Sequence, residues 1–290
     1  MKLLYFPGCK IPFHLPAYNR STRSVLSVLE IELIDMDLTC CGYPVRHQNF
    51  SAFLLSAARN LALAEAQGVD ILTPCKCCFG SFKHALYWLR RKPALRDRIN
   101  QRLAAENLHW SDRSEVIHLL SLLYHKVGTR RLQDHVSTPL EHLTVAAHYG
   151  CHALRPAEVT AFDNPTAPQL FEALVAVTGA TPVFWSRRTE CCGNPLWNKN
   201  RRLALALMEK KLASAQEAGA DMLCSACTYC QLQFDETRRQ HPHADPTQGR
   251  LQAILFPQLL GMSMNLPTEN QGLDPLTLTD ASAFTAKAEK

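Results

Sequence analysis

One phrase occurs twice in this chain of 290 residues: CCGYP at 40–44 and CCGNP at 191–195. Its surroundings repeat with it. Gly8-Cys9 has a counterpart in Gly150-Cys151, and AQGVDILTPCKCC at 66–78 has one in EAGADMLCSACTYC at 217–230. Cys40 and Cys41 precede Cys191 and Cys192 by 151 residues, Cys75 and Cys78 precede Cys227 and Cys230 by 152, and Cys9 precedes Cys151 by 142. A near-constant offset across several motifs marks a duplicated unit of about 150 residues. The smaller first offset fits an insertion around FDNPTAPQ (162–169), a turn-rich stretch.

Each copy reads as strands alternating with helices. In the first, KLLYF (2–6) is a short apolar run stopped by Pro7-Gly8. Residues 19–30 have helical apolar spacing, and IELID (31–35) reads as a second strand. After CCGYP come a helix over 51–67 ending at Gly68 and a third strand, VDIL (69–72). The second copy gives LTVAAHY (143–149), a helix near 169–178, TPVFW (181–185), CCGNP, a helix over 200–218 and a strand at ADML (220–223). This alternation predicts an α/β fold of two tandem, pseudo-symmetric domains, each a small parallel sheet with flanking helices. Right-handed crossovers would bring the C-terminal ends of three strands to one edge. Every paired cysteine follows such an end, where open α/β sheets hold ligands. The expected boundaries are 1–140, with a basic, mainly helical segment from about 80, then 141–263. SEVIHLLSLLYHKVG (114–128) reads as a helix packed between the halves, and the polar stretch 264–290 as a poorly ordered tail.

Twelve cysteines demand a reason. MKLLYFPGCK has no long apolar leader, and no run approaches about 18 apolar residues, so a cytoplasmic protein with no membrane span is expected. There thiols stay reduced, and a disulfide framework is disfavoured. The cysteines fall into two sets with an empty gap between 78 and 151, which points to metal or cluster ligation. The net charge of +5, with arginine pairs starting at 90, 130, 187, 201 and 238, reads mainly as solvated helix faces, or as attraction for an anionic partner. No motif points to nucleic acid.

Each copy holds one C-x-x-C, one adjacent Cys-Cys and one isolated cysteine. Five thiols are one too many for tetrahedral zinc. Adjacent cysteines suit an extended iron–sulfur cluster better than one small ion, and glycines at 8, 42, 150 and 193 would let backbone approach its sulfide. A zinc scaffold and metal-free thiol chemistry are the alternatives.

The pattern C-x(30)-CCG-x(32)-C-x-x-C, followed by C-x(39)-CCG-x(33)-C-x-x-C, resembles the cysteine-rich CCG family, above all the B subunit of heterodisulfide reductase. YGCHALRP (149–156), HLLSLLYHKVG (118–128) and ARNLALAEAQGVDILTPC (58–75) extend the resemblance to about residue 235. The resemblance implies two non-cubane 4Fe-4S clusters. One would be bound by Cys9, Cys40, Cys41, Cys75 and Cys78, the other by Cys151, Cys191, Cys192, Cys227 and Cys230. It implies cleavage or formation of a small disulfide between the clusters, with the complex's ferredoxin-like C subunit and flavoprotein A subunit as electron partners. A small thiol or a lipoyl-type carrier would be the substrate. The alternative within the family is an electron-transfer component of a succinate, fumarate or hydroxy-acid oxidoreductase.

Cys77, inside C-K-C-C, and Cys224 have no counterparts in the other copy and read as packed or spare thiols. Cys224-x-x-Cys227 is an alternative C-x-x-C, but Cys227-x-x-Cys230 is preferred because ADMLCSAC then matches the strand-to-cysteine distance of the family it resembles. In HYGCH, His152 is the candidate proton donor or cluster neighbour, and His148 reads first as structural. His14 and His47 read as structural or surface residues, and Pro44 and Pro195 as loop-shaping.

Overall fold

Strand β1 (Lys2–Tyr5) is buried from Leu3 onward, as a strand covered on both faces must be. Residues 1–239 and 251–273 are described by the computed structural model of the protein. Helix α1 (Pro16–Val28) follows, with Pro16 in its first turn. It buries Tyr18, Ser21, Thr22, Val25 and Leu26, an i, i+3, i+4, i+7, i+8 stripe. The unit continues through β2 (Glu32–Ile34), α2 (Phe50–Ala66), β3 (Asp70–Thr73), α3 (Lys76–Arg91), α4 (Pro93–Leu103) and β4 (Val116–His118). The four strands are all parallel and ordered β2-β1-β3-β4.

The second unit repeats this plan: β5 (Thr144–His148), α5 (Leu170–Val177), β6 (Thr181–Val183), α6 (Arg201–Glu217), β7 (Met222–Ser225), α7 (Thr228–Arg239) and β8 (Gln252–Leu255). Its sheet is again parallel, in the order β6-β5-β7-β8. Even the caps repeat. Asn49 accepts from Ala52 N–H at 2.9 Å at the start of α2, and Asn200 from Leu203 N–H at 3.0 Å at the start of α6.

Two strands differ from the sequence expectation of three per half. β4 lies inside the stretch read as one helix over 114–128, and pairs Ile71 with Val116 and Thr73 with His118. A three-residue strand that runs straight into helical turns at Leu119 shares their apolar spacing, and periodicity does not separate the two. Helical turns begin only at Leu119, where His118 Nδ1 accepts from Leu120 N–H at 3.1 Å, and they end at Gly128 after a π-helical turn over Leu122–Val127. β8 is its counterpart in the second sheet.

The halves are fastened by a reciprocal exchange. The turns after β4 pack on α5 of the second unit, while α8 (Phe256–Ser263), directly after β8, packs on α1 of the first. The chain then does not leave the body at 264, as expected of a disordered tail. A short helix α9 (Thr268–Gln271) also lies on α1, and Ser24 Oγ donates to Asn270 O at 3.3 Å. The rest of the expected tail, 274–290, lies outside the described residues.

Candidate metal centres

In each unit the isolated cysteine follows the first strand, the CCG phrase the second and the C-x-x-C the third, so one sheet edge receives all three. The ten paired sulfurs form two runs of neighbouring contacts: Cys9, Cys40, Cys41, Cys78, Cys75 in the first half, and Cys151, Cys191, Cys192, Cys230, Cys227 in the second. The order is the same under the repeat. Cys9 and Cys151 lie at the open ends, and Cys75 and Cys227 are buried and touch across the halves. All twelve thiols are free.

Local backbone aims the CCG sulfurs. Gly42 has φ +80°, and a Cβ there would come within 2.8 Å of the Phe53 carbonyl oxygen. Only glycine allows this turn to lie on α2. The turn directs the Gly42 and Tyr43 N–H groups at the sulfurs of Cys40 and Cys41. The second copy does the same, with Gly193 N–H donating to Cys191 Sγ at 3.4 Å and Asn194 N–H to Cys192. These two glycines therefore serve the turn and helix contact first. Gly8 is the one set tightest against sulfur: a Cβ there would lie 2.9 Å from Cys78 Sγ.

Five adjacent thiols with no cation conflict electrically. Hydrogen bonds from Cys151 and then Cys192 hold the Cys191 thiol well below its ordinary value, while donation to Cys191 pushes Cys192 up. The first half divides at the other member of the pair: Cys40 is pushed up, Cys41 is held well below its ordinary value by Cys40 and Cys78, and Cys78 is pushed well above it by Cys41 and Cys75. Only some sulfurs in a run can be negative together. A multi-iron cluster, which binds all its cysteines as thiolates, removes that conflict, and five sulfur donors exceed what zinc takes. The residues present fit such a group.

Cys77 is not an isolated spare thiol. Its sulfur is 3.9 Å from Cys227 Sγ and 3.0 Å from His152 Nδ1, and the sulfurs of Cys75, Cys77 and Cys227 all lie within 4.8 Å of one another. Cys224 is buried within β7, where packing accounts for it and burial pushes its thiol up. His152 stands at the cleft, its ring 5.1 Å from that of Tyr43, and it meets Cys77 rather than a paired cysteine; burial lowers its basicity. His148 comes closer to a paired cysteine than the sequence suggested: its Nε2 is 3.3 Å from Cys230 Sγ. His14 and His47 are exposed.

Several site residues have no motif to announce them. Tyr43 and Tyr229, with ring centres 5.6 Å apart, border both thiol runs. Two lysines are buried beside the second run. Lys76 Nζ donates to His148 O at 3.0 Å, and Lys211 Nζ donates to Arg187 O. A cavity of about 230 Å³ opens beside Cys77 and His152, lined also by Arg46, His84 and Arg155. The repeat offset, applied to the residues between the cysteines, was the one available signal, because it pairs Lys76 and Cys77 with the unlike Thr228 and Tyr229.

Comparison with known proteins agrees with this geometry. The family model for the cysteine-rich CCG domain matches residues 3–83 and 145–235. The chain is 32% identical to the B subunit of the ferredoxin/F420H2-dependent CoB-CoM heterodisulfide reductase of Methanosarcina acetivorans, covering 94% of this chain and 92% of that protein. It is 31% identical to the membrane anchor subunit of 8-methylmenaquinol:fumarate reductase from Wolinella succinogenes, covering 93% and 94%. A crystal structure of a hypothetical protein from Helicobacter pylori superposes with a TM-score of 0.73 at 16% identity over 94% of this chain and 51% of that one, a likeness of fold. No helix among the described residues is long and apolar enough to cross a membrane. Two matched domains, each carrying its complete set of cysteines, and near full-length likeness to reductase components make this chain a member of the cysteine-rich CCG family, of the type represented by the B subunit of heterodisulfide reductase.

Proposed function

We propose that the chain is the iron–sulfur component at which a heterodisulfide reductase-like complex cleaves or forms a small disulfide. Each run of five cysteines binds one non-cubane 4Fe-4S cluster: Cys9, Cys40, Cys41, Cys75 and Cys78 in the first half, and Cys151, Cys191, Cys192, Cys227 and Cys230 in the second. The observation that carries this reading is the meeting of two identically ordered thiol runs at Cys75 and Cys227. When bound, the clusters supply two one-electron centres, and a disulfide needs two electrons to become two thiols.

The chain's own residues hold, orient and shield. The CCG amides and the buried ends of both runs fix the two sites relative to each other. Tyr43 and Tyr229 form an aromatic wall on which a small sulfur compound can lie between them. His152, at the cleft, holds or passes the proton that a leaving thiolate needs. Electrons arrive from a ferredoxin-like C subunit and a flavoprotein A subunit, in keeping with relatives that are themselves components of reductase complexes. A cytoplasmic setting, where thiols stay reduced, suits a chain with this many free cysteines.

The likeness to the fumarate reductase protein favours a second reading, in which the same centres only relay electrons. Anaerobic purification, iron and sulfide analysis and electron paramagnetic resonance decide between them. Catalysis predicts several irons per chain and a new paramagnetic species when oxidised protein meets a candidate thiol. Iron without that species, and turnover only alongside a dehydrogenase partner, would leave the relay. Cys192→Ala is expected to lose about half of the iron; full iron in that variant would refute the second ligand set.

A further inference from the structure

The two halves exchange the residues that lie between their paired cysteines. Lys76 and Cys77, from the first C-x-x-C, border the second thiol run, and Thr228 and Tyr229, from the second, border the first, with Cys77 and Tyr229 at the seam also touching their own run. The exchange is symmetric in position and unequal in chemistry. Where the repeat puts Lys76 beside one site, it puts Thr228 beside the other. Lys211, on α6, stands at the offset position of Asn60 on α2, so the second site gains two ammonium groups at places where the first has neutral side chains.

Both ammonium groups are deep. Lys76 is 2% exposed and Lys211 1%. Their hydrogen bonds go to backbone carbonyls of His148 and Arg187, and their charges lie over aromatic rings: Lys76 Nζ is 4.8 Å from the Phe171 ring centre, and Lys211 Nζ is 5.0 Å from that of Trp185. Neither is in an ion pair among the described residues, and the nearby carboxylates are shared with arginines, Glu172 with Arg188 and Glu190, which faces Lys211, with Arg187. The first run has Lys10 at its rim, but that side chain is partly exposed and screened by water. A buried cation needs negative charge close by to offset its desolvation, and the second thiol run is the source at hand.

We propose that Lys76 and Lys211 make the second-half site the more readily reduced of the two, so that electrons entering the chain collect there. The inference rests on the two-cluster reading above. Adding an electron to a centre makes it more negative, and a buried positive charge beside it lowers the energy of that state more than of the oxidised one. With a cluster bound, each site would take one electron from a low-potential one-electron donor and pass it to the sulfur substrate or to a partner. Lys76 and Lys211 tune this order and touch no reacting atom.

The test is a redox titration of the intact, iron-loaded chain, followed by paramagnetic resonance. Two separate waves are expected. Cys192→Ala should remove the upper one and Cys41→Ala the lower. Lys76→Met should shift the upper wave downward and leave the lower in place, Lys76→Arg should restore it, and Lys211→Asn should act in the same direction without altering the first C-x-x-C. Coincident waves in the unaltered protein, an upper wave removed by Cys41→Ala, or equal shifts of both waves in Lys76→Met and Lys211→Asn would overturn the inference. An unaltered chain that binds no iron under anaerobic purification overturns the cluster reading itself, a result read before any titration.

Discussion

His118 illustrates how a single side chain ties the sheet to the site. Its ring is buried beneath Phe79 and Phe162, with Nε2 3.1 Å from the Pro74 carbonyl, one residue before Cys75. Burial, reinforced by Lys76, pushes its pKa down to about 3, so the folded protein keeps the ring neutral. The unfolded chain takes up a proton near pH 6.5. The stability this group contributes is therefore complete above that value and declines as the pH falls toward 3. By pH 5 the loss from His118 is about 2 kcal/mol. Urea unfolding at pH 7.5 and pH 5 should show a larger drop for the unaltered protein than for His118→Asn, and equal drops would count against the buried neutral ring. At this scale the paired cysteines were plain from sequence because copying preserved them. Lys76, Cys77 and Lys211 were not, since each owes its role to neighbours from distant stretches of chain.

Among the elements, α2 and α6 carry the CCG phrases into place. Each begins at an asparagine whose side chain accepts an N–H of its first turn, and each presses a CCG glycine against its own backbone. Loss of such a cap costs about 1 kcal/mol. Asn49→Ala and Asn200→Ala should each lower the unfolding free energy by that amount. Asn49→Ala should also hasten iron loss from the first site and Asn200→Ala from the second, which timed chelator extraction would report. The long helices were readable because amphipathic spacing persists over several turns, as α1 demonstrates from Tyr18 to Leu26. β4 and β8 were hidden because each runs straight into a helix, at Leu119 and at Phe256. Val116–His118 could extend a helix just as well, until β3 is seen to need a partner on its far side.

For the whole molecule, the exchange of helical segments sets the terms of folding. α1 is covered by α8 and α9 from the other unit, and α5 by the turns after β4. Separated halves would expose those apolar faces and would lose the lining residues that each lends to the other's thiols. Fragments 1–140 and 141–290 should be aggregation-prone when produced singly and should form a soluble one-to-one pair when produced together, as gel filtration with light scattering would reveal. Independent, monomeric folding of either fragment would contradict the interlock. Duplication was legible from the offset, whereas the interlock was not, because no periodicity records which unit a helix will cover. The swapped dipeptides carry an evolutionary consequence. Twin copies ordinarily drift apart freely, yet here a substitution beside Cys75 changes the surroundings of the opposite centre. The pair must diverge in concert, and specialisation of one centre can be written in the other copy's gene segment.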